Sequence, residues 1–142
     1  MSPVSFLLNI LWLLLGGAVA ALGWFVAAFV MAITIIGLPW AKAALDNGVY
    51  TLWPFGARIM DRDRLYGNDI GAGALGFLGN IIWFVLAGWW LALGHVVAAI
   101  ALGITIIGLP FAWAHLKLAG FSLWPIGRTI VSSDLHRRYS YY

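Results

Sequence analysis

The chain has no cysteine and no glutamate, and charged residues make up only 9% of its 142 positions. Without cysteine there is no disulfide framework, no thiol nucleophile and no thiolate ligand for a metal. The five acidic residues are all aspartates, and four of them fall in a connector or the tail. No serine has histidine and carboxylate partners suggested by spacing, and no metal-ligand motif of the H-E-x-x-H kind occurs. The expectation is therefore a protein that is not an enzyme and carries no cofactor. A lipid-interacting enzyme is the weakest reading, resting only on His115 and Lys117. Nothing points to nucleic acid.

What is abundant is apolar surface. Hydrophobic residues form 63% of the chain and the mean hydropathy is +0.95, against about 25% charged residues in an average soluble domain. Residues 1–41 carry no charged side chain, and neither do residues 70–114; each run exceeds the roughly 18 residues that mark a membrane-spanning helix. These features describe an integral membrane protein. The first run ends its apolar core near Ala18-Val19-Ala20, a pattern like a secretory cleavage site, but it lacks a basic n-region. It also matches an internal segment that cleavage would destroy, so a span is expected rather than a leader.

That match is part of a duplication. ITIIGLP stands at Ile33 to Pro39 and again at Ile104 to Pro110, 71 residues later. At the same spacing Asn9 to Asp63 aligns without a gap to Asn80 to Asp134, with about half the positions identical, which is the signature of an internal repeat. Two units are expected: residues 1–70, a membrane repeat with a charged cytoplasmic connector, and residues 71–142, a second repeat with a basic tail. All eight basic residues follow ITIIGLP within their repeat. The positive-inside rule then places both clusters in the cytoplasm, so each repeat crosses an even number of times. The expected fold is an all-α membrane protein of two tandem parallel repeats, related by an axis along the membrane normal, each a transmembrane helical pair or hairpin followed by an interfacial segment. Both termini are expected in the cytoplasm.

Two divisions of a repeat fit this. A hairpin turning near Gly23 or Gly94 would put Trp24 or His95 at the far interface, with the segment after Pro39 or Pro110 on the membrane surface. The alternative is one long helix to Ile36, about 45 Å at 1.5 Å per residue, followed by a return helix through Trp40 to Phe55. The first is preferred because it leaves Lys42, Asp46, His115 and Lys117 on the watery side. In either case Gly37, Pro39, Gly108 and Pro110 break a helix: glycine relaxes φ, the residue before proline leaves the α region, and proline donates no hydrogen bond. Trp40, Trp53, Trp89, Trp90, Trp113 and Trp124 are accounted for as interfacial anchors, and Lys42 and Asp46 are spaced for a helical ion pair.

The intramembrane polar residues come in equivalent pairs, Asn9 with Asn80 and Thr34 with Thr105. Hydrogen bonding between helices is their plainer role, and a polar path through the membrane the sharper one. Lys42, Arg58, Arg62, Arg64, His115, Lys117 and Arg128 are candidate contacts for anionic lipid or a partner. GAGALG at Gly71 to Gly76 imitates a nucleotide-binding loop, but no strand precedes it.

The doubled N-I-x-W, Gly17 and Gly88, GWW at Gly88 to Trp90, the I-I-G-L-P string and L-W-P-x-G-R, complete at Leu123 to Arg128, resemble the YccF family. Repeat one departs from it at Ala57, where repeat two has Arg128, and at Ala18-Val19, where it has Trp89-Trp90. The resemblance implies a small multi-pass protein of the bacterial inner membrane, and brings no assigned activity, cofactor or catalytic residue. Two function classes follow from the residues: an oligomeric channel or passive transporter for ions or small solutes, built from Asn9, Asn80, Thr34 and Thr105 in a homo-oligomer, or a membrane scaffold or accessory subunit binding a partner protein or anionic lipid.

Overall fold

The structure, a computed structural model, describes residues 2–67 and 73–133. The charges at Asp69, Asp134, Arg137 and Arg138, and the first part of GAGALG, lie outside the described residues. Repeat one contains α1 (Pro3–Trp12), α2 (Ala18–Ile33), α3 (Leu38–Leu52), β1 (Ala57–Asp61) and the short α4 (Arg62–Tyr66). Repeat two contains α5 (Ala74–Trp83), α6 (Trp89–Gly103), α7 (Leu109–Leu123) and β2 (Arg128–Ser132).

Helix α1 begins where the sequence offers a cap. The Ser2 hydroxyl accepts a hydrogen bond from the Ser5 N–H at 3.1 Å, and Pro3 fills the first turn, where its missing N–H costs nothing. α1 runs on into α2 through a widened π turn, Leu13–Gly17, and α5 into α6 through the equivalent Phe84–Gly88. In repeat one that turn contains a true break, because Gly16 has φ +123°, a conformation closed to residues with a Cβ. Its counterpart is Ala87, and there the backbone stays helical. The two composite helices, Pro3–Ile33 and Ala74–Gly103, are each long and apolar enough to cross a membrane.

The turn of each hairpin is ITIIGLP itself. α2 folds back on α3, and α6 on α7, through Thr34 to Gly37 and Thr105 to Gly108. The preferred expectation of a turn at Gly23 or Gly94 is corrected, since both lie inside helices; the long helix with a return helix is the division observed. The local chemistry of the turn sets this division. The Thr34 hydroxyl donates to the Met31 carbonyl at 2.8 Å and accepts from the Gly37 N–H at 3.2 Å; Thr105 does the same with Leu102 and Gly108 at 2.9 and 3.0 Å. A Cβ on Gly37 or Gly108 would collide with the carbonyl oxygen of Met31 or Leu102. Pro39 and Pro110 then open the first turn of the return helices. The tips carry bare isoleucine: Ile35 is 76% exposed and Ile106 87%.

The segments expected to be interfacial pack as the return arms of the hairpins, and each leads into a strand. The chain is mostly helical, as expected, and the two short strands add a small sheet that the sequence did not suggest. β1 and β2 form an antiparallel pair in which Ile59 faces Ile130. These two are equivalents at the 71-residue spacing, so the pairing is centred on one residue of each repeat. The repeats also interlock away from the sheet. Trp83 of repeat two stacks on Trp24 of repeat one, centroids 5.3 Å apart, in a core that includes Met31, Ala44 and Leu91. A second core gathers Trp12 and Tyr50 with Phe111, Leu118 and Phe121. Neither hairpin has a core of its own.

Candidate functional site

Asparagine and tryptophan of N-I-x-W hold the strand-bearing end of each repeat. The Asn9 side-chain N–H₂ donates to the Phe55 carbonyl at 2.8 Å, and its amide oxygen accepts from the Phe55 N–H at 2.9 Å. Asn80 grips Ile126 in the same two-point manner, both bonds at 3.0 Å. One turn further on, the Trp12 and Trp83 indole N–H groups donate to the carbonyls of Thr51 and Ser122, each at 2.7 Å. The chain segments gripped belong to L-W-P-x-G, where Gly56 and Gly127 take positive φ and turn the backbone into the strands. Two motifs that read as separate in the sequence are thus partners. All four expected path residues are occupied within their own repeat: the asparagines by backbone amides, the threonines by the hairpin turns.

The basic candidates divide. Lys42 pairs with Asp46 at 2.7 Å on the exposed face of α3, as the i,i+4 spacing suggested. Arg62 starts α4 and borders a cleft with Lys42 and Asp46. Arg58, Arg64, Lys117 and Arg128, from β1, α4, α7 and β2, border one open pocket of about 570 Å³. Asp61 is the one carboxylate among its described lining residues; it approaches Arg128 at 3.6 Å and Arg64 at 4.0 Å. Lys117 also lies over the Trp113 ring, 5.5 Å from its centroid. Four cations facing one carboxylate leave a site with a surplus of positive charge, suited to an anion.

The pocket has a diminished counterpart at the repeat-related position. There, at the 71-residue spacing, Asp46 takes the place of Lys117, Thr129 that of Arg58 and Ala57 that of Arg128. The fold is repeated but the charge is not.

His115 is not a surface contact. It is 3% exposed, and its Nδ1 lies 2.9 Å from Nδ1 of His95, itself 4% exposed. The expectation of His95 at an interface is corrected with it: the turn at ITIIGLP draws α7 along α6 and brings the two rings together. The Trp12 ring lies against His115, centroids 4.5 Å apart. In repeat one the equivalent positions are Trp24 and Ala44, both fully buried. A large and a very small residue have been exchanged for two of middle size, and that paired departure was the available signal in the sequence.

Long apolar helices, a mostly apolar exterior and a duplicated hairpin define this chain as an integral membrane protein built from two copies of one unit. A family model described as an inner membrane component domain, YccF, matches twice, at residues 7–57 and 78–128. The chain belongs to the YccF family. It is 38% identical over 131 residues to the inner membrane protein YccF of Escherichia coli K12, covering 89% of this chain and 87% of that protein, and equally to its counterpart from Shigella flexneri. No solved structure matches.

Proposed function

We propose that this inner membrane protein is a scaffold that holds an anionic phosphate headgroup of a membrane lipid in the pocket bordered by Arg58, Arg64, Lys117 and Arg128. The observation that carries this reading is the convergence of four basic side chains from four elements, beside a single carboxylate, on one pocket. Arginine's forked donors suit phosphate oxygens, and lysine adds a point charge. A basic pocket adjoining lipid-exposed helices is the usual setting for headgroup recognition. The positive-inside rule places this sheet-bearing face, and both termini, toward the cytoplasm, with the two repeats arranged about an axis along the membrane normal.

The alternative of an oligomeric channel relies on Asn9, Asn80, Thr34 and Thr105, whose hydrogen bonds are spent within each repeat. Burial of so little apolar surface by a single copy still favours a homo-oligomer in the bilayer. The test is lipid retention by native mass spectrometry after extraction with phosphatidylglycerol and phosphatidylcholine in equal amounts. The intact protein is expected to retain phosphatidylglycerol preferentially, and Arg58→Gln with Lys117→Gln to lose most of that preference. Equal retention of both lipids by the intact protein would overturn the reading.

A further inference from the structure

A second cavity lies on the apolar side of the molecule, between the repeats. It measures about 390 Å³ and is walled by Gly16, Val19 and Gly23 from repeat one and by Trp90, Gly94 and the two histidines from repeat two. Its size falls within the roughly 300–1,000 Å³ of small-molecule sites, which combine an apolar wall with a few placed polar groups. We propose that this cavity binds a small lipophilic molecule carrying a single hydroxyl group, an alcohol or phenol, which the His95–His115 pair recognises.

The chemistry follows from the pair. Two neutral imidazoles joined through Nδ1 share one proton between them. The ring that donates has a bare Nε2, an acceptor; the ring that accepts carries its proton on Nε2, a donor. Whichever ring donates, the pair offers one donor and one acceptor, and no hydrogen bond to either Nε2 is present among the described residues. A hydroxyl group both donates and accepts. With the two Nδ1 atoms 2.9 Å apart and the ring centroids 5.2 Å apart, the Nε2 atoms point away from each other, so one hydroxyl meets one of them; because it can donate or accept it suits either, and is favoured over an alkane of the same shape.

The rest of the wall suits entry from the bilayer. Val19 is 74% exposed and Gly94 is also exposed. A Cβ built on Gly16 or Gly94 meets nothing within 4 Å, so at both places the absence of a side chain keeps space open. The cavity is also particular to one repeat, since a Trp24 and Ala44 pair stands where a second set of histidines would be.

The experiment compares 2-naphthol with naphthalene, two probes of one shape that differ by a hydroxyl. Binding to the full chain in detergent micelles is measured by equilibrium dialysis, with micelles containing Gly94→Leu as the background, because a Cβ at Gly94 has open space in the cavity wall and the longer side chain takes up part of the cavity. Fold is checked for each variant by its melting temperature. The intact protein is expected to prefer 2-naphthol by about tenfold, roughly one hydrogen bond's worth, and 2-naphthol alone to shift the Nε2 resonance of at least one of ¹⁵N-labelled His95 and His115. The combined change His95→Trp and His115→Ala copies the pair that repeat one already packs, and is expected to fold and to bring the preference down to about one. Equal binding of the two probes, no binding above the Gly94→Leu background, or a preference that survives in the histidine variant would each overturn the proposal. None of these outcomes bears on the basic pocket.

Discussion

Asn9 and Asn80 show how a residue's role depends on what its amide meets. In the sequence each is a polar group inside an apolar run, and such a group reads equally as part of a path or as an interhelical tie. The distinction lies 46 residues away, at the Phe55 and Ile126 backbone groups they grip, and no local pattern carries that pairing. Asn80→Ala would strip partners from a buried N–H and C=O, and is expected to cost about 1–3 kcal/mol for each group left unsatisfied. A fall in the melting temperature of the purified protein reads this directly, whereas an isosteric Asn80→Asp would keep the acceptor and lose the donor. If Asn80→Ala melted with the intact protein, the clamp would have no structural importance. The histidine pair was open to inspection in a different way: His95 and His115 each break the repeat, and only their coincidence at positions that pack together gives the two departures one meaning.

The hairpin turn was the element most legible in the sequence and yet the most easily misplaced. Gly-Leu-Pro plainly stops one helix, but whether the chain then runs along the membrane surface or folds back depends on what the next helix packs against. Ala41, Ala43 and Ala44 supply a close-packing face that α2 fills, and this tertiary contact decides the matter. The strands were missed for a related reason: five residues such as ARIMD or RTIVS have no partner in view until both repeats are folded. Two glycines give the turn a testable consequence. Gly108→Ala would drive a methyl group into the Leu102 carbonyl and is expected to destabilise the hairpin by about 1–3 kcal/mol, as overpacking does. Gly94→Ala, placed in open space within α6, is expected to be neutral or to stabilise by about 0.5–1 kcal/mol through helix propensity. Thermal melts of the two variants side by side check the contrast; the opposite order would refute the turn geometry.

At the scale of the whole molecule, two repeats share their cores and one sheet, and the chain's lack of cysteine makes that arrangement easy to probe. Ile59 and Ile130 face each other at a site without mutual hydrogen bonds, because the bonded positions alternate through Arg62 to Gly127 and Ser133 to Gly56. Their Cα atoms are therefore about 4.5 Å apart, a separation that a disulfide spans. Ile59→Cys with Ile130→Cys is expected to form an intramolecular bridge on mild oxidation, seen as faster migration on a non-reducing gel. Either single variant should not, and a bridge only between separate chains would contradict the fold. The same strand geometry has a historical consequence. A strand whose centre pairs with its own equivalent is self-complementary, so half of this gene already encodes a surface that closes on a copy of itself with two-fold symmetry. An ancestral single-repeat polypeptide could have worked as a homodimer, and fusion into one chain would then have freed its halves to diverge, one carrying the histidine pair and the other the tryptophan and alanine packing.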